Sequence, residues 1–195
     1  MMYILLQIRY GVIEFIDSSF KTYRVSGNNS SSKRLAFVTN DGELLLFVAS
    51  FSDGGERKDV LFRVDLTSSE LGRSEIASDV RSFIASKDGK AVFYVNSDQE
   101  LWCVKGKKKS AKIADFVSGL AMSNNSNKVF FMSEEGLHYS DNGKKSVKIT
   151  GDVIGVWSRP TNVFYLTSNF DVYRSGGNEK FTLFQQDVNV QNLGY

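Results

Sequence analysis

The sequence predicts an all-β fold of repeated, four-stranded antiparallel sheets, and three observations lead there. Three segments align with one another: "AVFYVNSDQELWCVKGKKKSAKIADFVSGLAMS", "KVFFMSEEGLHYSDNGKKSVKITGDVIGVWS" and "NVFYLTSNFDVYRSGGNEKFTLFQQDVNVQN". The valines that open the last strand of successive units, Val80, Val117, Val153 and Val188, are spaced by 37, 36 and 35 residues. Finally, no long stretch of helical period competes, and a single proline accompanies many Gly, Asn, Asp and Ser turns.

Each unit carries the same elements in order. An apolar run comes first: Val92–Val95, Val129–Met132 or Val163–Leu166. After a polar turn a shorter strand follows: Leu101–Val104, Leu137–Tyr139 or Val172–Arg174. Past a Gly/Lys or Gly/Asn turn lies a strand around Ile113, Ile149 or Leu183, and then the strand led by the valine. A period of about 40 residues with four short strands per unit is that of a β-propeller blade, with the valine-led strand innermost.

An earlier, looser copy reads "RLAFVTNDGE", "LLLFVAS", "DVLFRVDL" and "SEIASD", with "FSDGGERKD" inserted between its second and third strands. Before it stand three strands, "MYILLQIR", "VIEFIDSS" and "KTYRVSG", which lack an inner one. The chain ends on an inner strand, "DVNVQNLGY", which lacks the other three. Joined, they complete a blade and remove a free sheet edge. Inner strands starting near Arg34, Val80, Val117, Val153 and Val188 give five blades, or 39 residues per blade. The expectation is one domain, residues 1–195: a five-bladed β-propeller with four antiparallel strands per blade, closed by the C-terminal strand joining the N-terminal blade. The alternative is a piece of a larger propeller.

Composition narrows the chemistry. A net charge of +2 over 195 residues implies neither a nucleic-acid nor a membrane partner. Cys103 and His138 are the only residues of their kinds, which excludes an intrachain disulfide and the usual Cys/His zinc sets. Both fall in third strands and read as sheet residues. No cofactor, metal site or catalytic residue is expected. The opening "MMYILLQIRYGVIEF" lacks the basic start and cleavage site of a secretion signal, and no stretch has the roughly 20 apolar residues of a membrane span. An extracytoplasmic place would follow only for a piece of a secreted or anchored parent.

The turn "SKDGKAVFYV" (Ser86–Val95) resembles the Ser-Pro-Asp-Gly-Lys turn of TolB-like, WD-like bacterial propeller repeats. "TNDGELLLFV" (Thr39–Val48) is a second copy, and "SNNSNKVFFM" and "SRPTNVFYL" are degenerate ones. The resemblance implies a propeller fold and a tendency to bind partners, and it carries over no catalytic residue.

In such a fold the loops from strand two to three and from four to one share one end. That end collects Asp98, Glu100, Glu134, Glu135 and Asp171, with Asp53, Glu56 and Asp59 from the insert. Asp79, Asp115, Asp152 and Asp187 precede the inner strands there, forming an acidic rim that is the expected ligand-binding site. The opposite end collects Lys105, Lys107, Lys108, Lys109, Lys144 and Lys145, a basic face. The expected function is a non-enzymatic binding module with an acidic and a basic face, meeting a protein partner or a small polar ligand. The alternative is a five-bladed carbohydrate-binding protein or glycosidase using rim carboxylates.

Overall fold

The computed structural model describes residues 5–9, 12–16, 22–24, 33–39, 42–53, 56–68, 72–106, 108–123, 127–186 and 188. They fall into two units, Met1–Ser82 and Phe83–Tyr195. All regular elements among the described residues are strands, and none is a helix able to cross a membrane.

In the first unit β1 (Leu5–Arg9), β2 (Val12–Ile16) and β3 (Thr22–Arg24) form a three-stranded antiparallel sheet. A four-stranded sheet follows: β4 (Lys33–Val38), β5 (Leu44–Asp53), β6 (Glu56–Asp65) and β7 (Arg73–Ala77). Leu45, Phe47 and Ala49 alternate along β5 and pack with Val60, Phe62 and Val64 of β6. Phe47 lies opposite Phe62 with the rings 5.5 Å apart. The expected insert is not a loop. β5 and β6 pair without a break as far as Asp53↔Glu56, a hairpin of two ten-residue strands. A Gly-Gly pair suits a tight hairpin turn. Asp59 therefore sits on a strand, where its carboxylate accepts a hydrogen bond from the Ser50 hydroxyl.

Three further four-stranded sheets follow: β8 (Val80–Ala85), β9 (Ala91–Asn96), β10 (Leu101–Lys105) and β11 (Ala111–Ala114); β12 (Gly119–Ala121), β13 (Lys128–Ser133), β14 (Gly136–Asp141) and β15 (Val147–Thr150); β16 (Gly155–Arg159), β17 (Asn162–Leu166), β18 (Val172–Ser175) and β19 (Thr182–Gln185). Each is a meander with its strands in chain order. The Ser-x-Asp-Gly turn works as its chemistry demands. Ser86 Oγ donates to Asp88 Oδ1 at 2.7 Å and accepts from the Ala91 N–H at 3.0 Å, while Gly89 takes the left-handed φ of 63°.

Within residues 83–195 the sheets stack face on face. Val129 and Phe131 of β13 pack with Phe93, Leu101 and Cys103 of the preceding sheet, whereas Phe130 packs with Val163 and Tyr165 of the next. A strand covered on both faces must be apolar at successive positions, which is why "KVFFM" does not alternate. Truncating the fully buried Phe93 or Phe130 to alanine removes about 3–5 kcal/mol of stability.

The four complete sheets begin at β4, β8, β12 and β16, the strands expected from Arg34, Val80, Val117 and Val153. Two valines are displaced from that expectation: β12 begins at Gly119 and β16 at Gly155. Val117 is instead tied back to the preceding sheet, its N–H donating to Gln99 O at 2.8 Å. The ladder of the new sheet starts one residue later, at Ser118 N–H to Met132 O. Of the expected closing strand, only Val188 lies within the described residues.

Candidate functional site

Four contacts bring the turns of residues 83–195 to one end. The Val117 bond to Gln99 joins the crossing after β11 to the β9–β10 turn. Asp115 and Phe116 line a cavity together with Glu134 and Glu135 of the β13–β14 turn. Asp152 Oδ1 accepts from the Ser168 N–H of the β17–β18 turn at 2.9 Å. The Val188 N–H donates to Phe170 O at 2.9 Å.

This end exposes carboxylates and apolar side chains side by side. Asp98, Asp115, Glu134, Glu135 and Asp152 are exposed. So are Phe116, at 58%, Phe170, at 42%, and Ile154. Phe116 and Phe170 also hold left-handed backbone conformations, with φ of 56° and 62°. That region costs an L-residue with a Cβ roughly 1–2 kcal/mol and is an outlier for a bulky one.

The cavity, of about 370 Å³, lies between β11 and the sheet of β13 and β14. Phe116 and Phe131 give it aromatic walls; Asp115, Glu134 and Glu135 give it charge; Ser133 and Ser146 give it hydroxyls. His138 lines it as well and is 9% exposed. The imidazole stacks on Phe131, ring centroids 5.5 Å apart and 20° from parallel, and its buried Nε2 has no hydrogen-bond partner. Burial lowers the pKa of His138; the Glu135 charge opposes this and the Lys148 charge adds to it. His138 does occupy a third strand, but the orphaned nitrogen beside the cavity is not legible in the sequence. The side chain's surroundings depend on the neighbouring sheet, and the one available signal was a lone histidine two residues after "EEG".

The rim residues have separate settings. Asp79 is exposed at φ 58° and belongs to the first unit. Asp115 pairs with Lys112 at 2.6 Å, and the same ammonium meets Glu100 at 2.5 Å. These two acceptors, Asp115 first, raise the Lys112 pKa. Asp152 is held below the usual carboxylate value by the backbone N–H and then the hydroxyl of Ser168. Asp187 lies outside the described residues. Among the described residues no group of three or more His, Cys, Asp or Glu side chains is placed to hold a metal ion.

At the opposite end Lys105 closes β10, Lys108 and Lys109 follow it, and Lys144 and Lys145 lie between β14 and β15; all five are exposed. The two turns are neighbours, since a Cβ on Gly143 would meet Cys103 Sγ at 2.6 Å and Lys105 Cε at 3.7 Å. Lys107 lies outside the described residues.

No family model and no curated protein matches the sequence. Solved structures do resemble it, and they are β-propeller proteins. The β-propeller domain of the Trilobed protease from Pyrococcus furiosus superposes with a TM-score of 0.59 at 15% identity, over 80% of this chain and 58% of that one. TolB from Acinetobacter baumannii gives 0.54 at 14% identity, over 95% and 52%. Virginiamycin B lyase from Staphylococcus aureus gives 0.54 at 10% identity, over 96% and 70%. The chain thus spans little more than half the length of the first two. At such identities the likeness is one of fold: an all-β chain of four-stranded antiparallel sheets, resembling β-propellers, TolB among them.

Proposed function

We propose that the chain is a non-enzymatic propeller module that docks a protein partner on its acidic end. One observation carries the reading: Phe116 and Phe170 stand exposed among carboxylates on left-handed backbone. Folding has no use for a large ring held out in water at a strained position. Backbone outliers with that character gather at ligand contacts. Aromatic side chains ringed by one sign of charge suit a partner that is both basic and apolar. The basic end, with Lys105, Lys108, Lys109, Lys144 and Lys145, would meet an acidic surface more weakly, since its charges sit on turns without exposed aromatics between them.

We place this module in a single five-bladed domain closed by its last strand. The Val188–Phe170 bond repeats the Val117–Gln99 bond, which supports Val188 as the opening of a further first strand. The Pyrococcus propeller, by contrast, is described as having an open velcro topology. The carboxyl shifts at Asp65, Asp88, Glu100, Asp152 and Glu179 are all downward, opposite to the direction a glycosidase acid needs.

A peptide display selection on the whole chain, run in parallel on a Phe116→Ser/Phe170→Ser variant, tests the docking proposal. The expected outcome is enrichment of peptides combining Arg or Lys with apolar residues, and loss of that enrichment on the variant. Enrichment of acidic peptides, or identical enrichment on both proteins, would overturn it.

A further inference from the structure

We infer that the cavity between β11, β13 and β14 is a pocket for a guanidinium group. Its size, about 370 Å³, falls in the range of small-ligand sites and accommodates an arginine side chain. The polar lining is rich in acceptors: the carboxylates of Asp115, Glu134 and Glu135 and the hydroxyls of Ser133 and Ser146. Three carboxylates exclude an anion. A hard metal ion requires several oxygens converging at short range, and among the described residues no such group is formed. What remains is an organic cation with several N–H donors spread over a plane. The wall suits that shape, because Phe116, 58% exposed, offers a ring face on which a guanidinium stacks.

His138 supplies the second, independent indication. It is nine-tenths buried, lines the cavity and leaves Nε2 without a partner, in a region where buried polar atoms are ordinarily satisfied. With the ring neutral and its proton on Nδ1, Nε2 is an acceptor, and a guanidinium N–H is the donor it lacks. Lys112 offers no substitute, since its ammonium already bridges Glu100 and Asp115. Chemistry alone selects the ligand; the docking proposal above enters only in naming its natural carrier, an arginine of the partner.

The test uses the full chain and two small probes, N-acetyl-arginine methylamide and its uncharged citrulline counterpart, titrated by NMR. The arginine probe is expected to bind at least about tenfold more tightly. Glu134→Gln/Glu135→Gln should weaken it about tenfold while leaving the citrulline probe unchanged. His138→Phe, which keeps a ring on Phe131 but removes the acceptor, should weaken it several-fold at unchanged thermal stability. Equal affinity for both probes, no arginine binding at millimolar concentration, or insensitivity to the glutamate substitutions would overturn the pocket. If the arginine probe fails while selected peptides still require Phe116 and Phe170, the pocket falls and the docking surface stands. If the probe binds and no peptide is selected, the pocket stands without that partner.

Discussion

The Val188 N–H donates to the carbonyl oxygen of Phe170 over 2.9 Å, a residue that bends the β17–β18 turn at φ 62°. Val117 makes the same bond, 2.8 Å long, to Gln99, which bends the β9–β10 turn at the same φ of 62°. In the second case the valine leads into β12. On the proposed closure, deleting residues 188–195 is expected to lower stability by several kcal/mol, at about 1 kcal/mol for each hydrogen bond of a closing strand. Chemical denaturation followed by tryptophan fluorescence measures this, and an unchanged midpoint would contradict the closure proposal.

Phe116→Gly and Phe170→Gly separate function from folding. Glycine adopts φ of 56° or 62° freely, so each substitution should hold or raise stability, by up to about 1 kcal/mol. Binding of a selected peptide should fall at least about tenfold. Calorimetry and a binding titration on the same samples decide it. A fall in melting temperature with peptide binding intact would make the two rings structural.

Gly136 shapes the turn that carries Glu134 and Glu135. Its φ is 118°, and a Cβ there would meet Thr150 O at 2.1 Å and Gly151 Cα at 2.6 Å. Both are backbone atoms of the one neighbouring segment, which cannot give way, so Gly136→Ala should cost about 3 kcal/mol or more. Thermal unfolding checks this, and a loss below about 1 kcal/mol would show that the turn is looser than described.

The buried imidazole predicts a pH dependence with a definite sign. Burial holds the His138 pKa below the ordinary 6.5, so the unfolded chain binds the proton more readily than the folded one. The stability linked to this ring is fully present above the unfolded value of about 6.5 and is lost as the pH falls toward the folded value. Glu135 and Lys148 act on the ring with opposite signs, and Asp115 and Glu134 share its cavity. Melting temperatures between about pH 7.5 and about pH 5 should decline more steeply for the natural chain than for His138→Phe. Parallel slopes would show that His138 is not held neutral.

Much of the fold was legible because β-sheets write themselves into local sequence. The apolar run of β13, the Ser86-x-Asp88-Gly89 turn and the repeated short third strands each fix one piece of a meander. The hairpin of β5 and β6 was harder. "FSDGGERKD" has the charge of a loop, and only its Gly-Gly center hints at paired strands. Val117 misled because a buried valine before a strand reads like one inside it; its hydrogen bond to Gln99 belongs to the crossing. The acidic turns were readable as turns. The cavity was not, since Phe116, in the crossing after β11, meets Glu135 and His138 of the β13–β14 hairpin only when neighbouring sheets stack.

The central claim is that the end bearing Phe116, Phe170 and the His138 cavity binds a basic partner. Amide chemical-shift mapping of the full chain against a short peptide containing arginine and phenylalanine tests it most directly. Shifts confined to Asp115–Val117, Ser133–His138, Asp152–Ile154 and Ser168–Asp171 are expected. Shifts centered on Lys105, Lys108, Lys109 and Asn142–Ser146, or no shifts at saturating peptide, would contradict it.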